Sequence, residues 1–525
     1  MDSPYLQGWA VITQLPCHFR KMTHDCEKQL CVFCINGGEN VSELHQNSQE
    51  ERQQQTKAVY APKTMFGRRK ILTSVDAITA ENVTKVVENA YNVHLLNQSE
   101  IEYLWNYYKG KQPSLYRWRE VRDELTAHIV ENRANEIVSF KTGYLVGKPI
   151  KYISSASSDD VSASVAKLND AMRIIGKKTK DKELVEWQMI CGQGYRYVVQ
   201  EQSRLNNVPF NLYTLDPRNT FVIRKNDYSQ KVIAGVNFVV DDVQNVTFTV
   251  YTEEYVFSFV KGATQGVSVK RNQFGMIPII EYPANSARLG CFEIVLSMLD
   301  AINDFDCARN EAVEQFVQSL LVLYNCQVDE GTTADTIRAA GMILLKTVGD
   351  AKADIKVLAE QLDQSQNQTL KDDLWNSVLQ IVGMPSQSAA GTSDSSNNGA
   401  VILKNGWQGA ETRAQDFEAE FDLPEMEMLQ VVSVICNILR NGEYSFNPVD
   451  IEVKFTRRNY EDILSKSQTL ITMLNNDKVH PQKAYEACGL FPDAEEAYQM
   501  GMAWFKEHGE QNPQQMKPKQ VVIDE

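Results

Sequence analysis

A polar, low-complexity segment between two long helical stretches constrains the fold of this chain more than any other feature. Residues 386–399 have the sequence Ser-Gln-Ser-Ala-Ala-Gly-Thr-Ser-Asp-Ser-Ser-Asn-Asn-Gly. Because these side chains cannot form a packed core, the segment is predicted to be a flexible loop. The helical spacing before it, at about 366–382, ends at Gly383-Met384-Pro385. A long helix, 400–440, is predicted after it, with a kink at Pro424.

Hydrophobic periodicity divides the remainder of the chain into helical and strand blocks. Helices are predicted at about 99–110, where Ser99 and Glu102 suggest a capping box, and at 121–143, 161–175 and 181–190. From residue 195 the apolar residues alternate, which predicts short strands: Tyr195–Gln200, Thr220–Arg224, Val232–Val240, Val246–Tyr251 and Tyr255–Val260. The longest helical stretch, 291–322, follows, and two weak strands lie beyond it. The fold class is therefore α+β.

Length and charge limit the classes of function. A chain of 525 residues predicts two to four folding units. No apolar run approaches the roughly 18 residues that a membrane span needs, so no membrane partner is expected. The net charge of −15 argues against a sequence-specific DNA reader, which needs a basic face to neutralise phosphates. The same charge is compatible with a protein past which DNA slides without sticking.

The N-terminal residues differ from the rest. Residues 1–64 lack helical or strand periodicity and are predicted to be a flexible extension outside the core, with Met65 as an alternative start. Order is predicted to begin near residue 76. The extension contains six side chains that could hold zinc, although neither a second CxxC nor an HxxxH completes the pattern: Cys17, His18, His24, Cys26, Cys31 and Cys34. The six remaining cysteines are isolated among apolar residues, which is typical of small core residues.

No sequence pattern assembles an active site. The stretch from Gly143 to Lys148 is similar to a phosphate-binding loop, but its spacing is one residue short and Pro149 occupies the place of the metal-binding Ser or Thr. The predicted helix 291–322 is rich in carboxylates but lacks the histidines that di-metal sites supply; the carboxylates considered as a metal site are Asp300, Asp304, Asp306, Glu311 and Glu314. We therefore predict no catalytic residue, no cofactor and no metal ligand. A metal-dependent nuclease remains the enzyme alternative.

A series of short motifs, in a fixed order along the chain, carries a family resemblance: Tyr107-Tyr108-Lys109-Gly110-Lys111-Gln112-Pro113, Asn135-Glu136-Ile137-Val138, Gly143-Tyr144-Leu145, Gly147-Lys148-Pro149, Gly192-Gln193-Gly194-Tyr195, Leu215-Asp216-Pro217, Ile277-Pro278, Leu299-Asp300-Ala301, Ala308-Arg309-Asn310-Glu311 and Gly399-Ala400 with Leu403-Lys404. Together they resemble the portal proteins of tailed bacteriophages, in the branch common among long-tailed phages of Gram-positive hosts. The resemblance covers about 98–500. Val401-Ile402 departs from the family pattern, and residues 1–64 have no counterpart.

The resemblance implies a portal-protein fold with named parts. A helical and β wing would comprise 76–290 and a strand in 441–458, and a helical crown would comprise 459–508 before a polar tail, 509–525. The parts expected around the channel are a two-helix stem (291–322 and 359–383), a small α/β clip (323–358), a tunnel loop (384–399) and the long kinked helix (400–440).

The resemblance also implies a function. Portal subunits form a ring, here expected to contain twelve copies, at one capsid vertex of the virion, through which the genome is packaged, retained and ejected. Assembly is expected in the host cytoplasm. The expected partners are other copies of the chain, non-specific double-stranded DNA, the terminase large subunit, a head-completion or adaptor protein, the scaffold and the major capsid protein. Another multimeric virion structural or adaptor protein remains an alternative.

Candidate DNA-channel residues lie on the first stem helix and around the tunnel loop. They are Asp300, Asp304, Ser386, Ser388, Thr392, Ser393, Ser395, Asn397, Asn398 and Lys404. A helix over 291–322 would be about 48 Å long. Its carboxylates, including Glu293 and Asp306, would present an acidic face to the DNA, along which phosphates find no strong binding site.

Overall fold

The computed structural model describes residues 67–118, 126–155, 159–201, 208–262, 266–317, 320–324, 326–327, 346–347, 354–358, 364–386, 406–439, 444–457, 463–476, 478–491 and 494–508. All of them lie in the second of the two units into which the chain divides, Val59–Glu525. The predicted extension 1–64, with its cysteine and histidine cluster, and the polar tail 509–525 lie outside these ranges. None of the helices within them has the length and apolarity that crossing a membrane requires.

A six-stranded sheet and one long helix form the first core. The strand order is β1 (Ile71–Thr73), β5 (Thr220–Lys225), β6 (Val232–Val240), β7 (Val246–Tyr251), β8 (Tyr255–Val260) and β9 (Ser268–Arg271). Strand β1 is parallel to β5, and the other pairs are antiparallel. Helix α1 (Val83–Tyr108) covers one face, where the Tyr91 ring meets Phe238 and Phe248 edge-on at centroid distances of 5.1 and 5.2 Å. The alternating sequence of β7 therefore buries every second side chain against α1.

A second and larger core contains most of the remaining helices. Strands β10 (Ile279–Pro283), β3 (Gln193–Gln200) and β4 (Phe210–Leu215) form a three-stranded sheet. Helices α2 (Arg133–Val146), α3 (Asp159–Ile174) and α4 (Lys177–Cys191) share its core. Gly192 turns the chain from α4 into β3 at φ +80°, and a Cβ there would lie 2.1 Å from the Arg288 carbonyl oxygen. Only glycine satisfies both conditions, so this tight turn from helix to strand depends on Gly192.

The described parts of residues 296–382 form one long hairpin. Helix α5 (Leu296–Val317) is followed by β11 (Leu320–Tyr324) and β12 (Cys326–Gln327), and the return path consists of β13 (Lys346–Thr347), β14 (Asp354–Leu358) and α6 (Gln364–Val382). Strand β11 pairs antiparallel with β14, and β12 with β13. Arg309 bonds Gln368 and Asp306 bonds Lys371, so the two helices run antiparallel. The paired strands continue the same antiparallel arrangement in nearly the same register. We call this element the 296–382 hairpin.

The C-terminal part of the chain is mainly helical. Helix α7 (Trp407–Ile438) contains Pro424 and packs on the second core, and β15 (Ile451–Lys454) pairs antiparallel with β2 (Lys151–Ser154). Helices α8 (Ile463–Leu474), α9 (Pro481–Cys488) and α10 (Ala494–His508) follow. Helices α8 and α9 share a small apolar cluster, whose buried members are Leu470, Ala484 and Cys488.

Two helix starts differ from the sequence predictions. The first helix begins at Val83, so Ser99 and Glu102 lie inside it and form no capping box, while Gly110 ends it at φ +90° as expected. The second helix begins at Arg133 rather than near 121, because the Asn132 side chain accepts a bond from the Asn135 N–H. The described residues before Asn132 are extended instead, since their N–H groups bond to another helix.

The predicted stem helix and the predicted start of order also need correction. Helix α5 ends at Val317, and the chain continues as β11, so at 22 residues the helix is about 33 Å long rather than 48 Å. Ordered structure begins before residue 76: Arg68 is buried and β1 is a strand of the first sheet. By contrast, the five strands predicted after residue 195 are confirmed, as is the strand expected in 441–458.

Candidate functional site

One lysine joins the two helices of the 296–382 hairpin. Lys371 of α6 lies 2.8 Å from Asp306 of α5 and 2.9 Å from Glu131, which precedes α2. Burial by itself would lower the pKa of Lys371, but its bonds to the two carboxylates outweigh that effect and raise the pKa. The lysine therefore stays charged and links three segments of the chain. A cavity of about 140 Å³ lies beside this contact, between α5 and α6.

An extended segment, residues 126–132, is bound along α5 by its backbone. The N–H groups of Ala127, Ile129 and Glu131 donate to side chains one helical turn apart: Glu311 at 3.0 Å, Cys307 at 3.4 Å and Asn303 at 2.8 Å. Two extended residues advance about 6.6 Å and four helical residues about 6 Å, so every second N–H meets every fourth side chain. This match gives these three N–H groups acceptors without a neighbouring strand.

The start of the hairpin is anchored by a buried carboxylate. Glu293 accepts bonds from the Arg68 guanidinium at 2.7 Å and from the Gly290 N–H at 2.9 Å. Arg68 also lies 3.3 Å from Glu100 of α1. The side chains of Arg68 and Glu293 are almost fully buried. The pair therefore connects the residues just before β1 to the short turn, Glu293–Val295, that leads into α5. Sequence reasoning missed this contact, because Arg68 lies in a segment that was expected to be outside the core.

The predicted acidic face of α5 is divided by these contacts. Asp300 is partly buried and accepts a bond of 2.8 Å from the Tyr107 hydroxyl, and burial raises its pKa. Asp304 is 58 % exposed and lies 3.6 Å from Arg117. Glu293 and Asp306 are instead paired with Arg68 and Lys371. The prediction of one continuous acidic face is therefore wrong, and of these carboxylates Asp304 is the one with a mostly exposed side chain.

The remaining candidates lie at the ends of the predicted tunnel loop. Ser386 follows α6, and its hydroxyl lies 3.5 Å from the Asn376 side-chain oxygen. Seven candidates lie outside the described residues: Ser388, Thr392, Ser393, Ser395, Asn397, Asn398 and Lys404. Beyond them, Trp407 opens α7 and packs with Phe140 and Tyr144 of α2 at centroid distances of about 6 Å. This aromatic contact joins the start of α7 to α2.

A neutral group of four charges is buried beside Pro424 in α7. Both oxygens of Glu425 accept hydroxyl bonds, from Tyr152 at 2.6 Å and from Tyr282 at 2.8 Å. Lys177 lies 2.8 Å from Glu425 and also bonds Asp181, which pairs with Arg196 at 2.6 Å. Burial opposes ionisation of Glu425, but the two cations prevail and lower its pKa. The group fixes the middle of α7 to α4 and to both sheet strands that supply Arg196 and Tyr282.

These contacts position long elements with respect to one another. One buried ion pair and one partly buried lysine hold the 296–382 hairpin, and a buried charged group holds α7, which begins just after the predicted tunnel loop. Within the described ranges, no group of three or more His, Cys, Asp and Glu side chains is arranged to hold a metal ion. Four cysteines are buried, as predicted for core residues: Cys191, Cys307, Cys436 and Cys488.

Comparisons with known proteins cover most of the chain. Residues 88–514 match the family described as "Phage portal protein, SPP1 Gp6-like". No curated protein matches the chain. Among solved structures, a chain from "Neck of empty GTA particle computed with C6 symmetry" aligns with a TM-score of 0.40 and 10% identity, over 68% of this chain and 90% of that chain. A chain from "Virion of native gene transfer agent (GTA) particle" aligns with a TM-score of 0.38 and 12% identity, over the same shares.

Proposed function

This chain belongs to the SPP1 Gp6-like family of phage portal proteins, and we propose that it assembles as a closed ring of twelve copies around a DNA channel. It is a portal protein, a structural component of the virion and not an enzyme. The proposed ring would admit the genome during packaging, retain it afterwards and release it at ejection. The observation that carries the proposal is the family match over residues 88–514, which includes every element of the 296–382 hairpin.

We assign the 296–382 hairpin to the stem and clip. Helices α5 and α6 would be the two stem helices, and the ribbon of β11 to β14 would form the clip at the far end of the hairpin. Two contacts support this assignment: Lys371 joins the two helices to the segment before α2, and Glu293 bonds Arg68, which also contacts Glu100 of α1. A stem that carries load from a packaging motor needs such a rigid connection to the body of the subunit.

The remaining parts of the portal fold are assigned from the same family membership. The two sheets with α1 to α4, together with β15, would form the wing. Helices α8 to α10 would form the crown, and residues 386–399 the tunnel loop before α7. The small apolar cluster that α8 and α9 share is consistent with a separate outer subdomain.

The expected partners are assigned by position. We propose that the clip contacts the terminase large subunit during packaging and the head-completion or adaptor protein afterwards. Scaffold and major capsid protein would contact the outside of the ring. DNA would be held without sequence preference, because a channel does not need to read base edges. The net negative charge of the chain agrees with this. Asp300, Asp304 and the loop residues from Ser386 to Lys404 remain candidates for the channel surface.

Electron microscopy of the purified full chain tests the proposal. Closed rings with a central channel are expected, and the number of subunits is counted in end-on views. As a matched comparison, Lys371→Met should leave rings closed but broaden the density of the stem, whereas Lys167→Met, an exposed lysine of α3, should leave it unchanged. Open filaments or small closed oligomers without a channel would contradict the ring and favour another virion structural or adaptor role.

A further inference from the structure

The cavity of about 140 Å³ between α5 and α6 has a mostly apolar surface. The residues that line it are Phe305, Asp306, Ala308, Arg309, Asn367 and Lys371. Its charged side chains have partners within the hairpin: Lys371 bonds Asp306 at 2.8 Å, and Arg309 bonds the Gln368 side-chain oxygen at 3.1 Å. Ala308 is exposed and Phe305 is partly exposed, so the cavity is open at the surface of the subunit. An apolar group is therefore the occupant that suits it.

The cavity interrupts an apolar stripe that runs along α5 and the turn before it. Six residues follow one another at alternating intervals of four and three positions, and each is partly or fully exposed: Ile294, Met298, Ala301, Phe305, Ala308 and Ala312. These intervals place side chains on one face of a helix and are typical of helices that pack along a partner. The described residues of one subunit cover this face only in part, since Ile294 is still 53% exposed.

An exposed apolar residue is fixed to another side of α5. Ile129 belongs to the extended segment 126–132 and is 37% exposed. Its N–H donates to the Cys307 sulfur at 3.4 Å, and the Cys307 thiol donates to its carbonyl oxygen at 3.5 Å. Both bonds use the backbone of Ile129. They therefore fix its position along α5 and leave its side chain able to contact another surface.

Ile129 and the cavity lie at the same level of α5 and on opposite sides of it. A helical residue advances about 100° around the axis and about 1.5 Å along it. Cys307, which binds Ile129, therefore points about 200° away from Phe305, and the two residues differ in level by only about 3 Å. Ala308 and Arg309, which also line the cavity, are one and two positions from Cys307. Each subunit thus has a projection on one side and a cavity on the other.

A rotational ring joins surfaces that are related in this way. Each subunit contacts its two neighbours through two different surfaces, and rotation about the ring axis does not change the height of a group along that axis. If α5 runs along the channel as a stem helix, Ile129 and the cavity would face each other between neighbouring subunits. An apolar cavity of about 150 Å³ can hold a benzene molecule, so the cavity between α5 and α6 can take the smaller side chain of isoleucine.

We infer that Ile129 of each subunit inserts into the cavity between α5 and α6 of the next subunit in the ring. This inference rests on the proposed function, because it takes α5 to run along the channel of a closed ring. The occupant of the cavity is then a second copy of this chain. The contact recurs once per subunit, and it buries an exposed isoleucine against the apolar stripe at Phe305 and Ala308.

The test uses two variants of the full chain, Ile129→Asp and Ala308→Lys, purified separately. Each should raise the subunit concentration at which half of the protein is in rings by at least about tenfold, because an isoleucine is no longer buried at the contact. The melting temperature of the dilute subunit should not change, because both positions are exposed within it. An equimolar mixture of the two variants should recover rings in which they alternate. In such a ring, each Asp faces a Lys and each Ile129 faces an unaltered cavity.

Matched controls are Ile174→Asp and Ala163→Lys, which make the same changes at exposed positions of α3 and should leave ring formation unchanged. Ala308→Leu fills the cavity without adding a charge and should weaken the ring as Ala308→Lys does. Rings of Ile129→Asp that form at the wild-type concentration would overturn the contact and leave the ring itself intact. Recovery when both changes are in one chain, but not in the mixture, would show that the contact lies within a subunit and would also overturn it. A wild type that forms no rings contradicts the proposed function, and the inference with it.

Discussion

Replacing Glu425 by Gln should destabilise the subunit more than any other single change of one carboxylate on α7. The side chain is fully buried and holds both Lys177 and Arg196, which are 4% and 0% exposed. In the wild type these two cations are balanced by Glu425 and Asp181. The substitution keeps the shape of the side chain but leaves one net positive charge in the core. Breaking a buried pair in this way costs about 3–5 kcal/mol.

The assay is chemical unfolding of the assembled protein at a fixed subunit concentration, followed by circular dichroism. Glu427→Gln, the same substitution on an exposed position of α7, should change the unfolding free energy by less than about 0.5 kcal/mol. Adding Lys177→Met to Glu425→Gln restores neutrality and should recover part of the loss, as measured in a double-mutant cycle. The two tyrosine hydroxyls donate to different oxygens of Glu425, so only one of them keeps an acceptor in the glutamine amide oxygen. The other hydroxyl faces the amide NH2 and must accept from it instead, which adds to the loss.

Two results would refute this reasoning. A cost below about 1 kcal/mol for Glu425→Gln would show that the charge of Glu425 is not needed to balance Lys177 and Arg196. A double variant that is less stable than Glu425→Gln alone would show that Lys177 stabilises the core through its packing and not through its charge.

Four further predictions concern the termini, the channel and pH. A chain that begins at Met65 should still form rings in electron microscopy. A chain that begins at residue 76 lacks Arg68 and should unfold at a lower temperature, because Glu293 is then buried without its cation. Equal melting temperatures of the two chains would contradict this. Shortening 386–399 by several residues should leave rings intact but reduce DNA retention, and failure of ring assembly would show an interface instead. Asp304→Lys should make DNA retention depend on salt, while adding Asp300→Lys should also lower stability through the lost Tyr107 bond; normal packaging by both variants would remove α5 from the channel surface. Burial opposes the ionisation of Glu281, but Arg288 and Arg224 lower its pKa to about 2, so the stability it contributes is complete above about 4.5 and is lost as pH falls toward 2; Glu281→Gln should flatten that part of a pH-unfolding curve.

Several features were predictable from the sequence because they depend on neighbouring residues. The alternation in Val246–Tyr251 predicts a strand with one buried face, and β7 has that pattern. Gly110 and Gly192 end helices at positive φ, where a side chain is disfavoured. The ordered series of short motifs also sufficed for the family, which the match over 88–514 confirms.

Helix starts were less predictable, since a distant partner can replace a local signal. The apolar spacing in 121–143 favours a helix throughout, yet residues 127–131 are extended. Their N–H groups bond to Asn303, Cys307 and Glu311, more than 170 positions away in sequence. The sequence of the segment itself does not indicate that these distant side chains are spaced to accept its N–H bonds.

The sequence by itself determined the α+β class, the alternation of helical and strand blocks, and the family. Tertiary structure alone decided the role of each charge. Asp304 and Asp306 are two residues apart on one helix, but Asp304 is mostly exposed while Asp306 pairs with Lys371 of α6. Glu425 bonds groups from α4, β2, β3 and β10, which are far from it in sequence. Local periodicity reports which face of a helix is apolar, but the environment of a charge depends on the segments that folding brings to it.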